Sequence, residues 1–258
     1  MTLIANDEYS GKLVLLTGAG SGFGRLAAAR FAEHGARLAL CDINESALES
    51  LADELEMPSE DLLFQKCDVS KSSDVQRFVD ATIDQFQCID VAINNAGIAH
   101  DQMLLAECDE ALWDRTIAVN LSGVFHFITR EIQQMLKQGG GIILNVASVA
   151  GVLGAPNLGP YCASKHGVVG LTKTAAAEYG GSGIRTISLC PGFSPTPLVE
   201  ALLEGADETM SSKMTDRIPL GRMAEPDEIV ESMLWLCSER NGFMNGASVV
   251  LDGGLTSC

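Results

Sequence analysis

The sequence predicts an α/β fold, a doubly wound parallel sheet of about seven strands with helices on both faces. Short apolar runs of β type alternate with longer helical patterns, the order expected of parallel strands joined by crossover helices. The runs are apolar throughout, as strands covered on both faces require. A glycine-rich turn follows the first run and opens a helix, which makes the predicted sheet Rossmann-like. Because such folds often reach about 250 residues as one unit, we expect residues 1–258 to form a single domain.

Strands are predicted where apolar and β-branched residues cluster between turn signals. They are Lys12–Thr17, Arg37–Cys41, Leu62–Lys66, Ile89–Asn94, Gly141–Val146, Arg185–Leu189 and Ser248–Leu251. Helical periodicity and capping signals, such as Asn44 ahead of Ser46, predict the helices between them. These helices are Phe23–His34, Ser46–Leu55, Ser73–Phe86, Glu110–Lys137, Tyr161–Tyr179 and Asp227–Ser238.

One connection, from Phe193 to Arg222, is longer than connections in compact domains usually are. Its apolar residues recur near helical spacing, and they are Leu198, Leu202, Leu203, Met210 and Met214. The pattern predicts one or two short amphipathic helices that cover a pocket, so residues 193–222 form a candidate substrate lid. Packing of the same residues on the body as ordinary core is an equally open alternative.

Composition and charge exclude several classes of partner. The chain has 17 Lys and Arg against 34 Asp and Glu, and its net charge of −17 opposes binding to nucleic acid or to an anionic membrane. The acidic N-terminus does not resemble a secretion signal, and no apolar stretch is long enough to span a bilayer. The eight cysteines form no Cys-x-x-Cys pair and no zinc-type cluster with His. We therefore expect free thiols, no metal site and a cytoplasmic location.

The glycine-rich turn reads Thr17-Gly18-Ala19-Gly20-Ser21-Gly22-Phe23-Gly24. Glycines there allow a tight turn and let N–H groups at the helix N-terminus approach a pyrophosphate. Asp42 ends the second strand, where a carboxylate can accept hydrogen bonds from the adenosine ribose and repel a 2′-phosphate. No Arg or Lys follows Asp42 closely, so the turn and the carboxylate together predict NAD. A helix N-cap or a solvated turn residue is the alternative for Asp42.

Tyr161 and Lys165 stand four residues apart in a helical pattern, so both side chains project from one helix face. A nearby ammonium lowers the pKa of a phenol from about 10 and makes the tyrosine a usable proton donor and acceptor. Ser148 closes the fifth strand, where its hydroxyl can hydrogen-bond a substrate oxygen. The three residues predict proton transfer at an alcohol or ketone group.

Along nearly its whole length, the sequence resembles the compact, single-domain branch of the short-chain dehydrogenase/reductase family. The family motifs occur in order, and they are the glycine-rich turn, Cys67-Asp68-Val69, Asn94-Asn95-Ala96-Gly97, Val119-Asn120, Ser148, Tyr161-Cys162-Ala163-Ser164-Lys165, Pro191-Gly192 and Asp252-Gly253-Gly254. Two positions depart from the usual pattern. Phe23 stands where the family often has Ile or Leu, and Ala147 stands where many members have a second Ser. Neither change removes a reacting group.

The resemblance implies a role for each matching residue. The expected catalytic residues are Ser148, Tyr161, Lys165 and Asn120, with Asn120 holding a water in a proton relay with Lys165. The expected cofactor-binding residues are Gly18, Ser21, Gly22, Phe23, Gly24, Asp42, Ile43, Asp68, Val69, Asn94, Asn95, Ala96, Gly97, Tyr161, Lys165, Pro191, Gly192 and Thr196. Lys165 would also bind the nicotinamide ribose, and Thr196 the carboxamide. The family further implies a homo-oligomer, usually a tetramer.

These features favour an NAD-dependent oxidoreductase that moves a hydride between nicotinamide and a hydrophobic secondary alcohol or ketone. A cyclic, terpenoid or steroid-like substrate suits the apolar residues that follow Ser148, which are Val149, Val152, Leu153 and Leu158. A 3-oxoacyl-(acyl-carrier-protein) reductase is the main rival, and Asp42 and the acidic charge weigh against it. A non-catalytic NAD-binding sensor is the alternative from another class, and the intact Ser148, Tyr161 and Lys165 weigh against that.

Overall fold

Seven parallel strands form one sheet in the structure, a computed structural model that describes residues 7–203 and 214–257. The strands are β1 (Leu13–Thr17), β2 (Arg37–Asp42), β3 (Leu62–Lys66), β4 (Val91–Asn94), β5 (Gly141–Val146), β6 (Ile184–Pro191) and β7 (Ser248–Leu251). Their order across the sheet is β3-β2-β1-β4-β5-β6-β7. The predicted doubly wound sheet is confirmed. The predicted bounds of β3, β5 and β7 match the observed ones, and those of the other four strands differ by one or two residues at an end.

The helices of the described residues lie between the strands as predicted. They are α1 (Gly22–Glu33), α2 (Glu45–Leu55), α3 (Ser72–Phe86), α4 (Glu110–Ile117), α5 (Gly123–Gln138), α6 (Gly159–Tyr179), α7 (Pro197–Leu203) and α8 (Pro226–Cys237). Asn44 caps α2 by accepting a hydrogen bond from the Ala47 N–H at 3.2 Å. At the start of α8 the Glu228 side chain accepts from the Glu225 N–H at 2.9 Å. The helices in the described part of the chain include none with the length and apolar character of a membrane span.

The predicted continuous helix Glu110–Lys137 is wrong in one respect, because a π-helical turn at Ala118–Ser122 separates α4 from α5. Asn120 lies in this wider turn and is fully buried. Its amide accepts from the Ile98 N–H at 2.8 Å and donates to the Ile98 carbonyl at 2.9 Å. A tertiary contact thus accompanies the wider turn, and apolar periodicity carries no signal for it.

Two apolar layers cover the two faces of the sheet. On one face α1, α2 and α8 pack through residues such as Phe31, Leu51 and Met233. On the other face α3 and α5 pack through residues such as Phe78 and Phe127, with α6 alongside them. Coverage of both faces explains why the central strands are largely apolar, whereas the edge strands β3 and β7 are partly exposed.

The strand order reverses between β1 and β4, which pair in parallel with Leu16 opposite Ile93. Connections from these two strands leave toward opposite faces and open a crevice at their carboxyl ends, where ligands bind in doubly wound sheets. The crevice lies beside Thr17 and Asn94, the last residues of the two strands.

Part of the predicted lid segment lies in the described residues. It contains α7, and Leu198 and Met214 face the cavity described below. Met210 and the side chains of Leu202 and Leu203 lie outside the residues that the structure describes. The lid function of residues 193–222 stays a prediction.

Candidate active site

A cavity of about 750 Å³ lies at the carboxyl ends of the strands. It brings together residues that are far apart in sequence, and most of the predicted site residues line it. These are Gly18, Ser21, Gly22, Phe23, Asp42, Ile43, Asp68, Val69, Asn95, Ala96, Gly97, Ser148, Tyr161, Lys165, Pro191, Gly192 and Thr196. The volume falls within the range of small-molecule and cofactor sites.

Three predicted site residues do not line the cavity and instead support its wall. Gly24 packs against the backbone of the glycine-rich turn. Asn94 is buried and donates to the side chains of Glu131 and Asn145. The Asn120 amide contacts the Ile98 backbone and donates to Ser164 Oγ at 3.3 Å. With these protein partners, the Asn120 amide is already engaged, and the predicted water relay stays a prediction.

The glycine-rich turn is closely packed against the end of β4. A Cβ added at Gly24 would lie 2.0 Å from the Gly18 carbonyl oxygen, and one at Gly18 would lie 2.8 Å from the Ala96 Cα. Asn95 Nδ2 donates to the carbonyl oxygens of Thr17 at 3.0 Å and Gly18 at 3.2 Å. The turn therefore forms a fixed cradle at the N-terminus of α1, which fits the pyrophosphate of a dinucleotide.

Asp42 ends β2 beside the same turn. One carboxylate oxygen accepts from the Gly20 N–H at 2.9 Å, and the other accepts from the Asn44 N–H at 2.9 Å. The residue is half-buried and lines the cavity together with Ile43 and Asp68. Asn44, rather than Asp42, caps α2. A negative charge is thus held in place in the wall of the cavity.

Ser148 and Tyr161 both line the cavity, and their side chains are close enough for Ser148 to affect the pKa of Tyr161. Ser148 follows β5, and its hydroxyl accepts from the Ala150 N–H at 3.1 Å, which orients the turn after the strand. Burial raises the pKa of Tyr161, and the nearby Ser148 side chain opposes this rise without cancelling it. The two hydroxyls present a donor–acceptor pair in the wall of the cavity.

Lys165 lies one helical turn after Tyr161 and is only 4% exposed. Its Nζ donates to the Val146 carbonyl at 2.8 Å and lies 5.8 Å from the centroid of the Tyr161 ring. Burial lowers the pKa of Lys165 to about 8. The prediction that Lys165 lowers the pKa of Tyr161 is therefore wrong for this structure, because burial dominates the pKa of both groups.

Apolar side chains dominate the part of the wall contributed by the loop after Ser148 and by the predicted lid. They include Leu153, Pro156, Leu158, Phe193, Leu198, Met214 and Leu255. Val152, which the sequence analysis grouped with them, is exposed and does not line the cavity. This part of the wall suits a hydrophobic ligand.

Several wall residues were missed by the sequence analysis, namely Ser70, Ile98, Gln102, Arg115 and Val146. Ile98 directly follows the Asn94–Gly97 motif, and Arg115 lies one helical turn before Val119, so sequence position offered a signal for both. Nothing in the sequence indicated that the Val146 carbonyl binds the Lys165 ammonium, because that contact joins a strand end to a helix.

Comparison with known proteins assigns the family. A family model described as enoyl-(acyl carrier protein) reductase matches residues 18–256. The chain is 40% identical to 3-oxoacyl-(acyl-carrier-protein) reductase FabG of Thermotoga maritima, over 96% of this chain and 99% of that protein. It is 35% identical to cyclohexanol dehydrogenase of Acinetobacter sp., over 100% of both chains.

Solved structures agree with the sequence relatives. The crystal structure of levodione reductase superposes with a TM-score of 0.92 at 36% identity, and it covers 97% of this chain and 99% of its own. A 3-ketoacyl-(acyl-carrier-protein) reductase from Brucella melitensis, complexed with NADH, gives a TM-score of 0.88 at 35% identity, covering 96% and 99%. The chain belongs to the short-chain dehydrogenase/reductase family, and it is an NAD(P)-dependent oxidoreductase.

Proposed function

We propose that the protein is an NAD-dependent alcohol dehydrogenase or ketone reductase for hydrophobic, cyclic, terpenoid or steroid-like secondary alcohols and ketones. The observation that carries this proposal is one cavity that contains both the Asp42 carboxylate and the Ser148–Tyr161 hydroxyl pair. A dinucleotide site and a proton-transfer site thus share one space, as a hydride-transfer enzyme requires.

The chain's own residues supply the proton chemistry and the positioning. When bound, nicotinamide supplies the acceptor or donor of the hydride. In the oxidative direction, the Tyr161 phenolate takes the proton of the substrate hydroxyl, and in reduction the Tyr161 hydroxyl returns it. Ser148 hydrogen-bonds the substrate oxygen and stabilises its developing charge. Lys165, held by the Val146 carbonyl, places a cationic group beside the Tyr161 ring.

The choice of NAD over NADP is inferred from the Asp42 carboxylate. Two backbone N–H groups hold it in the cavity wall, so a 2′-phosphate placed beside it meets a fixed negative charge. No Arg or Lys follows Asp42 closely in the sequence to neutralise that phosphate. The NADH named with the Brucella melitensis structure agrees with this choice.

The substrate class is inferred from the apolar wall and from relatives. A wall rich in Leu, Pro, Phe and Met stabilises a compact apolar ligand through burial of its surface. Cyclohexanol dehydrogenase and levodione reductase are among the similar proteins. They support a ring-shaped alcohol or ketone.

A 3-oxoacyl-(acyl-carrier-protein) reductase remains the second candidate function, since one similar protein and one similar structure carry that name. The net charge of −17 opposes it in this chain, because it repels an acidic carrier protein. The Asp42 carboxylate disfavours NADP but does not oppose a reductase of this kind that uses NADH, the cofactor named with the Brucella melitensis structure.

A two-by-two assay separates the two candidates. Initial rates are measured by absorbance of the reduced nicotinamide, with NAD or NADP, for a panel of cyclic and steroidal alcohols and for a 3-hydroxyacyl thioester. We expect the highest kcat/KM with NAD and a cyclic alcohol. A preference for the thioester with NADP would overturn both the substrate and the cofactor assignments.

Domain boundaries, location and assembly are further proposals. We infer one catalytic domain over residues 1–258, a cytoplasmic location and a homo-oligomer, usually a tetramer in this family. The cysteines in the described part of the chain are free thiols, which supports a reducing compartment. Light scattering of the purified protein measures the assembly, and a monomeric mass would contradict it.

A further inference from the structure

Four buried polar side chains form a hydrogen-bonded row that the proposed reaction does not use. Asn94 of β4 lies opposite Asn145 of β5 in the sheet, and Asn94 Nδ2 donates to Asn145 Oδ1 at 2.9 Å. The same Nδ2 donates to Glu131 Oε2 of α5 at 3.0 Å. Asn145 Nδ2 donates to Thr172 Oγ1 of α6 at 2.9 Å. The row therefore joins two strands to two helices.

The direction of each hydrogen bond in this row follows from the bond that Thr172 makes, at the end of the row furthest from Glu131. The Thr172 hydroxyl donates to the Val168 carbonyl at 2.8 Å, and a carbonyl can only accept. Thr172 Oγ1 must then accept from Asn145 Nδ2, which leaves Asn145 Oδ1 to accept from Asn94 Nδ2. The Asn94 carbonyl oxygen is thereby turned away from Asn145.

Two acceptor atoms are left over at the near end of the row. Within the described residues, neither Asn94 Oδ1 nor Glu131 Oε1 has a hydrogen-bond partner, although both atoms are buried. They belong to the planar amide of Asn94 and the planar carboxyl of Glu131. These two groups are already joined by the hydrogen bond from Asn94 Nδ2 to Glu131 Oε2. If neither atom carried a proton, both would be buried without a hydrogen-bond partner, which would destabilise the folded state.

We propose that Glu131 is a neutral carboxylic acid that donates its Oε1 proton to Asn94 Oδ1 and thereby closes a reciprocal acid–amide pair. One proton satisfies both leftover atoms, since the protonated carboxyl gains a donor and the amide oxygen gains a partner. Glu131 then acts as a positioning residue for the ends of β4 and β5.

The surroundings of Glu131 favour the neutral acid. Glu131 is fully buried, and burial raises its pKa to about 8, with the hydrogen bond from Asn94 opposing the rise. The thiol of Cys41 in β2 interacts electrostatically with Glu131, and burial raises the pKa of that thiol as well. No Lys or Arg of the described chain is among the groups that shift the pKa of Glu131.

The row connects Glu131 to three parts of the candidate active site. Asn94 directly precedes Asn95, which holds the glycine-rich turn. Asn145 lies in β5, the strand that leads to Ser148, and Thr172 lies in α6 with Tyr161 and Lys165. A neutral Glu131–Asn94 pair holds these segments in place without burying a charge.

The first test compares unfolding of the wild type and of Glu131→Gln in urea from pH 5 to pH 8, at one protein concentration. Because the folded pKa lies above the unfolded value, the carboxyl stabilises the wild type at low pH and loses this contribution as pH rises toward 8. Relative to Glu131→Gln, the unfolding constant of the wild type should rise by about tenfold per pH unit in the middle of this range. Glu60 is exposed, so Glu60→Gln serves as the matched control. Its free energy of unfolding should vary with pH in parallel with that of the wild type.

If the free energies of unfolding of the wild type and of Glu131→Gln varied with pH in parallel, the proposal would be overturned. Infrared spectroscopy of the wild type gives a second measurement that needs no variant. We expect the C=O band of a protonated carboxylic acid at pH 7 and its loss with a midpoint near 8. Absence of that band at pH 7 would also overturn the proposal.

The positioning role is tested by NAD binding, a readout that rests on the proposed function, whereas unfolding and infrared spectra do not. Glu131→Ala removes one of the two partners of Asn94 Nδ2 and leaves Asn94 Oδ1 unpaired, so the Kd for NAD should rise by about tenfold or more. Glu131→Gln supplies an N–H and a carbonyl in the same places and should restore binding. Equal binding by the two variants would overturn the positioning role, and absence of binding to the wild type would instead contradict the proposed function.

Discussion

Tyr161 is half-buried and Lys165 is buried, and their pKa values shift in opposite directions for the same reason. Burial favours the neutral form of each, so it raises the pKa of the tyrosine and lowers that of the lysine to about 8. At neutral pH the phenol is therefore protonated. It is ready to donate a proton during reduction, whereas oxidation needs the scarcer phenolate.

This charge state predicts opposite pH dependences for the two directions. For alcohol oxidation we expect kcat/KM to rise by about tenfold per pH unit above neutrality until Tyr161 ionises, and for ketone reduction to fall where oxidation levels off. Initial rates in overlapping buffers of constant ionic strength measure both profiles. An oxidation rate that is flat or falls from pH 7 to pH 10 would contradict the assignment of Tyr161 as the base.

The negative charge of Asp42 allows a prediction about the choice between NAD and NADP. In Asp42→Asn the fixed negative charge is lost, so we expect kcat/KM with NADP to improve by about tenfold while kcat/KM with NAD falls. The exposed Glu45→Gln, a few residues further on, is the control for general loss of negative charge. An unchanged ratio of NADP to NAD use in Asp42→Asn would rule out this residue as the discriminator.

At the scale of single elements, the site depends on close backbone approach. The first turn of α1 can lie against the glycine-rich turn only because Gly24 has no side chain, and Asn95 then ties that turn to the end of β4. The N–H groups at the start of α1 are thereby presented to the cavity, where they can bind a dinucleotide phosphate.

Gly24→Ala tests this packing. Its new methyl group would lie 2.0 Å from the Gly18 carbonyl oxygen, so the turn must move, and we expect destabilisation by about 1–3 kcal/mol and weaker NAD binding. Gly170→Ala in α6 is the matched control, since its Cβ meets nothing within 4 Å. We expect that change to stabilise the protein by about 0.5–1 kcal/mol. Denaturant unfolding and calorimetric titration with NAD measure both, and unweakened NAD binding by Gly24→Ala would contradict the packing argument.

The order of the strands and helices could be predicted from the sequence, whereas one helical turn and two pKa shifts could not. The order of strands and helices was predicted because apolar patterns and caps are local signals. The π-helical turn at Ala118–Ser122 was not predicted, because its Asn120 makes its contacts with the backbone of Ile98 in a distant loop. The opposite pKa shifts of Tyr161 and Lys165 likewise depend on burial, which four-residue spacing cannot report.

At the scale of the whole molecule, the sheet topology brings the predicted residues to one cavity. Strand order reverses between β1 and β4, and most of the expected cofactor residues follow strand ends on either side of that point. The sequence therefore predicted the composition of the cavity wall well. It did not predict supporting residues such as Glu131, because a buried carboxyl on an amphipathic helix has the same sequence pattern as an exposed one.

The net charge of −17 allows a prediction about how salt affects the thermal stability of the folded protein. Excess negative charge repels itself in the compact state, and salt screens that repulsion. We expect the Tm to rise by several degrees between about 20 mM and about 300 mM sodium chloride at pH 7. Calorimetry with chloride and acetate salts separates screening from ion binding, and a Tm that falls with both salts would contradict the argument.

The proposed function requires that the Tyr161 hydroxyl transfers the proton in a cavity that also binds NAD. The most direct measurement is steady-state turnover of Tyr161→Phe together with calorimetric NAD binding by the same preparation. We predict that NAD binding stays within a few-fold of the wild type while kcat falls by about 100- to 10,000-fold, the range for loss of a general acid–base group. Turnover of Tyr161→Phe at the wild-type rate, with NAD bound as before, would contradict the claim.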